Sequence, residues 1–450
     1  MIRKYKQYKD SGIKWVGEVP KDWNIKKIKY ECYVKGRVGW NGLKSSEFLT
    51  DGYSYLITGT DFKNDVIDWN NCYYIDKVRY DEDPFIQLLN DDLLITKDGT
   101  IGKLAVVTDL NRPACLNSGI FVVRALNKEL STRYLFWILK SSIFNYYNEY
   151  TSYGSTIQHL YQNVFVEFTF CMPTFAEQMA IASFLEVRTA KIDQLIALKE
   201  KLIMLYEEEK IVLINSAVTK GLNPKVKTKP SGIDWLGDIP EHWEVKRLKW
   251  LSTIISKGTT PSTVGRDILP VGDVRFLKAE NIVNNTTVGD PSNFIDQGTN
   301  EILLRSQLEE LDILFVIAGA TLGKVAILPA NFCPANTNQA VSFIRLKDKK
   351  YVFYVWYWLQ SNLINQLIWL DAVQAAQPNL SMENLGNFYI PFIPVGEQEA
   401  IVNHIDTECH RLDSIINQFQ AQIELFREYR KTLISDAVSG KIDIRCEVAI

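Results

Sequence analysis

The chain has 450 residues, enough for two or more domains, and at 46% hydrophobic and 12% aromatic it can bury sizeable cores. A net charge of −3 excludes a globally basic nucleic-acid binder, so any polyanion partner must be held by local clusters of Lys and Arg. Seven scattered cysteines with no C-x-x-C pair exclude a disulfide frame or zinc knuckle, and no uncharged run approaches a membrane span, so a cytoplasmic protein without membrane partners is expected.

The first feature along the chain is Ser11-Gly-Ile-Lys-Trp-Val-Gly-Glu-Val-Pro-Lys-Asp-Trp23. It returns 220 residues later as Ser231-Gly-Ile-Asp-Trp-Leu-Gly-Asp-Ile-Pro-Glu-His-Trp243. The same shift aligns Tyr55 to Phe62 with Arg275 to Ile282. It also aligns Asp92-Leu-Leu-Ile-Thr-Lys-Asp-Gly-Thr-Ile-Gly-Lys103 with Asp312-Ile-Leu-Phe-Val-Ile-Ala-Gly-Ala-Thr-Leu-Gly-Lys324, where the second copy has one extra residue. The chain is therefore two copies of one module.

Within a copy, β-rich runs bounded by Gly, Asn and Asp (Leu93 to Thr96, Leu104 to Val107, Phe121 to Val123) predict strands, and the aromatic run near 131–149 predicts a helix. Each module thus reads as a mixed α/β (α+β) domain. From Glu177 to about Val218, and again from Glu397 to about Val438, Pro and Gly are missing and apolar residues recur at helical spacing. Each stretch predicts one long helix, roughly 60 Å for about 40 residues. The seam runs through Ile192, Ile196, Ile203 and Leu213 in the first helix and Leu412, Ile416, Phe419, Ile423 and Leu433 in the second. These stripes must be buried on each other or on a partner, and the simplest solution is an antiparallel pair with the modules at opposite ends, related by a pseudo-two-fold. The expected boundaries are a first module at 1–175, a helix at 176–220, a basic, Pro-bounded linker at 221–230, a second module at 231–395, and a helix with tail at 396–450.

No catalytic constellation emerges. Gly319-Ala-Thr-Leu-Gly-Lys-Val325 is too short for a phosphate loop and has Val325 where a hydroxyl belongs. His404 and His410 are six apart on a predicted helix and point to different faces, so with Asp406 and Cys409 they read as helix surface, not as a metal site. The acidic-x-Lys pattern near His242 has no counterpart in the first copy. Polar loops remain. Thr58, Thr60, Lys97, Thr100, Lys103, Asn117, Ser155 and Gln158 in the first copy, with Lys278, Asn281, Thr321, Lys324, Asn338, Gln374 and Gln377 in the second, supply groups that hold phosphate or read base edges. Each of them is equally well read as solvent-facing.

The Ser-Gly-Ile-x-Trp motif, the Gly-(x)-Thr-(Ile/Leu)-Gly-Lys loop and the Pro-x-x-(x)-Glu-Gln start of a long helix all occur twice and in order. With them the chain resembles, over essentially its whole length, the specificity subunit of type I restriction-modification systems. The resemblance implies two target-recognition domains, each reading one half of a bipartite site in double-stranded DNA, with the helices as a spacer. It also implies docking of two modification subunits that use S-adenosylmethionine on adenine, together with ATP-driven restriction subunits. No cofactor is then expected in this chain, and Phe184 and Tyr206 are candidates for burial under a partner. The alternatives are a single-chain methyltransferase or nuclease with degenerate motifs, and a coiled-coil adaptor that reads no DNA.

Overall fold

The computed structural model describes residues 4–37, 42–151, 159–287, 293–372 and 379–445. The chain divides into two compact units, Met1–Lys199 with Gln420–Ile450, and Glu200–Phe419.

The repeated Ser-Gly motif is the turn of a hairpin. In the first unit Tyr8–Asp10 pairs antiparallel with Glu18–Pro20. Across the turn the Ser11 amide donates to the Gly17 carbonyl at 3.0 Å and the Ile13 amide to the Ser11 hydroxyl at 3.1 Å. Gly12 and Gly17 have φ of +67° and +75°, conformations that side chains resist, which is why both glycines recur. The second unit repeats these bonds at Ser231 and Ile233, with Gly232 and Gly237 at φ +74° and +68°. Its hairpin starts at Thr228, inside the stretch expected to be linker, because Thr228–Pro230 pairs with Asp238–Pro240.

In the first unit the strands Cys32–Lys35, Ile120–Ala125, Leu93–Thr96 and Leu104–Val106 lie side by side, all antiparallel. A smaller sheet of Ala114–Leu116, Ser54–Ile57 and Tyr73–Ile75 closes one core with them, centred on Leu56, Leu94, Ala105, Cys115 and Val122. The second unit repeats the plan with Ser252–Lys257, Val341–Leu346, Ile313–Val316 and Val325–Ile327, beside a sheet containing Val274–Leu277 and Ala335–Thr337. Matched ion pairs cross the two frames. Asp92, 1% exposed, takes both carboxylate bonds from Arg124 at 2.6 and 2.7 Å, and Asp312 takes them from Arg345 at 2.8 and 2.7 Å.

The aromatic run forms two helices, Thr132–Lys140 and Ser142–Thr151, where one was expected. Ser141 breaks it: its backbone is extended and its hydroxyl donates to the Ile138 carbonyl at 2.6 Å, ending the first helix.

The two long helices span Phe175–Lys220 and Val395–Val438. Gln178 fixes the start of the first, donating to the Glu129 and Pro173 carbonyls at 2.8 and 2.9 Å and accepting from the Ser131 amide at 2.9 Å. Gln398 likewise donates to the Ile393 carbonyl at 2.7 Å. The helices pair antiparallel in each unit. In the first, Asp193 meets Arg430 and the Lys199 ammonium lies 6.0 Å from the Phe426 ring; in the second, Tyr206 packs on Phe419 at 6.0 Å and Lys210 meets Asp413 at 2.5 Å. Ile192, Ile196, Leu412, Ile416, Ile423 and Leu433 are buried, while Ile203, Leu213 and Phe419 are half-buried. Tyr206 is thus engaged within the helix pair.

Each globular part also grips the end of the helix that does not follow it. The Tyr134 hydroxyl donates to the Val438 carbonyl and the Tyr354 hydroxyl to the Val218 carbonyl, both at 3.3 Å. Trp23 and Trp243, buried in their hairpins, lie against Gly440 and Gly221, the glycines that end the two helices at φ +71° and +73°. Among the described residues no helix is long and apolar enough to cross a membrane.

Candidate nucleic-acid interface

In the first unit three polar loops meet at one end of the sheets. The Asn117 amide donates to the Ile57 carbonyl at 2.9 Å and the Lys97 amide to the Gly119 carbonyl at 2.8 Å, which ties 58–61, 97–103 and 117–119 together. The second unit does the same. The Thr337 hydroxyl donates to the Leu277 carbonyl at 2.9 Å and the Ile317 amide to the Ala340 carbonyl at 2.9 Å.

The candidate side chains differ in what holds them. Asp61, 3% exposed, accepts from the Thr58 amide at 2.7 Å and its hydroxyl at 3.0 Å, and burial raises its carboxyl above the usual range against those bonds. Thr58 therefore braces a turn, while Thr60 is exposed. In the second unit Asn281 replaces that carboxylate, accepting from the Lys278 amide at 2.9 Å, and the Lys278 ammonium reaches Asn293 at 2.9 Å. Asn117 and Asn338 also brace turns, accepting from the amides of Ser118 at 2.8 Å and Ala340 at 3.1 Å.

The hairpin Thr96 to Lys103 turns on Gly99 and Gly102, at φ +68° and +81°, with the Thr96 hydroxyl bonded to the Thr100 carbonyl at 2.5 Å and the Lys103 amide at 2.9 Å. Thr100 and Lys103 project into solvent from it, whereas the Lys97 ammonium lies 5.0 Å from the Phe121 ring. Thr321, on the matching turn between Gly319 and Gly323, and Lys324 directly after it are half-buried. Ser155, Gln158, Gln374 and Gln377 lie outside the described residues. At this end the exposed donors are cationic or hydroxylic, and a phosphate or a base edge can accept from them.

Three groups escaped the sequence reading. His159 pairs with Asp98 beside the hairpin, and Arg37, 1% exposed, donates from Nε to the Leu116 carbonyl at 3.0 Å under the loops. The third is the repeated Lys-Gly pair, Lys35-Gly36 and Lys257-Gly258. A Cβ on Gly36 would lie 2.7 Å from the Ile120 carbonyl oxygen, and one on Gly258 would lie 1.9 Å from that of Thr337. That repetition was the available signal.

The family described as "Type I restriction modification DNA specificity domain" matches residues 20–203 and 240–425. The chain belongs to this specificity-subunit family. Among its relatives, the putative type I restriction enzyme MjaX specificity subunit of Methanocaldococcus jannaschii is 26% identical, over 97% of this chain and 98% of the relative. The EcoKI specificity subunit of Escherichia coli K12 is 20% identical, over 95% and 90%. The fold is also shared with solved specificity-subunit structures. A chain from a study of complex assembly and conformational transition of the type I R-M system has a TM-score of 0.72 at 14% identity, covering 94% of this chain and 99% of that one. The HsdS subunit from Thermoanaerobacter tengcongensis has a TM-score of 0.54 at 13% identity, covering 94% and 98%.

Proposed function

We propose that this chain is the sequence-reading subunit of a type I restriction-modification complex, each module reading one half of a bipartite target in double-stranded DNA. Carrying the reading is one observation: two units share a frame down to matched turns and ion pairs, yet differ in the loops gathered at one end. Asp61 with Thr58 in one stands against Asn281 with Lys278 in the other. A shared frame with divergent loops suits two different half-sites. Two modification subunits dock on the chain and methylate adenine with S-adenosylmethionine, and ATP-driven restriction subunits join them. The chain itself carries neither cofactor nor catalysis and acts in the cytoplasm.

Replacing residues 24–170 with the matching stretch of another family member tests this. Genome-wide mapping of methylated adenines is expected to show a new first half-site beside an unchanged second half-site and gap. Alteration of both half-sites, or of neither, would overturn the assignment. Purified chain given S-adenosylmethionine and DNA alone should transfer no methyl group.

A further inference from the structure

A carboxylate sits among the cations at the loop end of the first unit. Asp98 lies on the hairpin Thr96 to Lys103, next to Gly99, with its side chain 46% exposed. His159 holds it, Nδ1 against Oδ1, and the imidazole packs edge-on against the Tyr161 ring with centroids 4.5 Å apart. The Leu160 amide donates to the Lys97 carbonyl at 3.0 Å, so the backbone fixes His159 beside the hairpin. Oδ2 of Asp98 lies beside Gly119, 3.9 Å from where a Cβ there would stand, and has no donor among the described residues.

The frame does not need this pair. In the second unit the Leu380 amide donates to the Ile317 carbonyl at 2.9 Å, and Ala318 pairs antiparallel with Asn379 at the matching place. The same backbone arrangement is thus held with a methyl and an amide where the first unit has a carboxylate and an imidazole. An ion pair this exposed adds little to stability. Among the described residues no third ligand joins the two in a metal cluster. A carboxylate facing DNA is also repelled by phosphate, so its presence on this hairpin calls for a group that donates to it.

A base edge can satisfy a held carboxylate only by donating. The hairpin is a two-stranded ribbon, which the major groove admits. There guanine N7 and O6 and thymine O4 are acceptors, and adenine N6 stands beside the N7 lone pair, which a carboxylate repels. Cytosine offers its N4 amino group with no acceptor next to it.

We propose that Asp98 is a specificity-determining residue of the first module, accepting a hydrogen bond from the N4 amino group of a cytosine, with His159 as the residue that positions it. This rests on the reading above that the module binds DNA. Ala318 gives the second module no such acceptor, so the requirement belongs to one half-site.

The test expresses the full chain with the modification subunit of the same system and maps methylated adenines across the genome. Wild type should require a C·G pair at one position of the first half-site. Asp98→Ala should accept other pairs there, discrimination falling by at least roughly 10-fold, with every other position unchanged. Asp98→Asn should turn the preference towards adenine, whose N6 and N7 an amide engages together. His159→Ala should weaken discrimination at that same position alone, which a general loss of stability would not do. An unchanged motif in Asp98→Ala overturns the proposal. So does tighter binding of all sequences with the motif intact, the mark of a carboxylate that only repels phosphate. Either result beside a bipartite wild-type motif leaves the proposed function standing. A wild-type chain that directs no methylation defeats both.

Discussion

At Gly17 and Gly237 the backbone has φ of +75° and +68°, and the space where a side chain would stand is open. Alanine there meets only backbone strain, so Gly237→Ala is expected to destabilise the second unit by about 1 kcal/mol, read as a lower urea midpoint. Arg345 acts on a larger scale. Arg345→Ala leaves the Asp312 carboxylate, 1% exposed, without its cation and should cost about 3–5 kcal/mol; a loss under 1 kcal/mol would mean the pair is dispensable. Lys103 is exposed at the tip of its hairpin, and Lys103→Ala should weaken DNA binding across all sequences and lower the salt slope by about one. Burial pushes the Cys32, Cys72 and Cys171 thiols up to about 12 and Cys115 to about 11. These four should resist alkylation at pH 8 in the native chain and react once urea unfolds it; rapid labelling without denaturant would contradict the core described. Residue spacing located the polar loops but not the duties within them. That Thr58, Asn117, Asn281 and Asn338 hold turns depends on amide positions set by the fold, which no local pattern encodes.

At the scale of elements, the long helices were legible almost to the residue, because 3.6-residue periodicity and missing Pro and Gly are local signals. The observed Phe175–Lys220 and Val395–Val438 extend the expected spans by only a few residues. Sheet order was not legible: Ile120–Ala125 lies between Cys32–Lys35 and Leu93–Thr96, a register set by burial across distant sequence. Nor was the grip of each globular part on the opposite helix end, since the matched tyrosines Tyr134 and Tyr354 sit in ordinary aromatic runs. That grip can be broken at one atom. Gly440→Ala would place a Cβ 2.4 Å from the Pro20 ring at a φ of +71°, and should cost about 2 kcal/mol or more. Protease cleavage after Val438 in the variant, with none in wild type, is the expected readout.

At the scale of the whole molecule, the proposed spacer role ties the length of the helices to the gap between the proposed half-sites. Removing seven residues from each, matched across the antiparallel pair, shortens each by about 10 Å, or about three base pairs. Methylation mapping should then show a correspondingly altered unread gap, and methylation at the original spacing would refute the spacer role. Truncation offers a complementary test. A chain ending at Lys431 lacks the Ser435 and Val438 contacts to Ser142 and Tyr134, so it should lose the first unit's cooperative unfolding and keep the second's.

The same contacts set an order of maturation on the ribosome. The second unit has all its parts once residue 419 has been synthesised. The first, though its sheets emerge earliest, waits for residues 433–444, whose buried Leu433, Val438 and Ile444 complete it. The module translated first is therefore the one finished last.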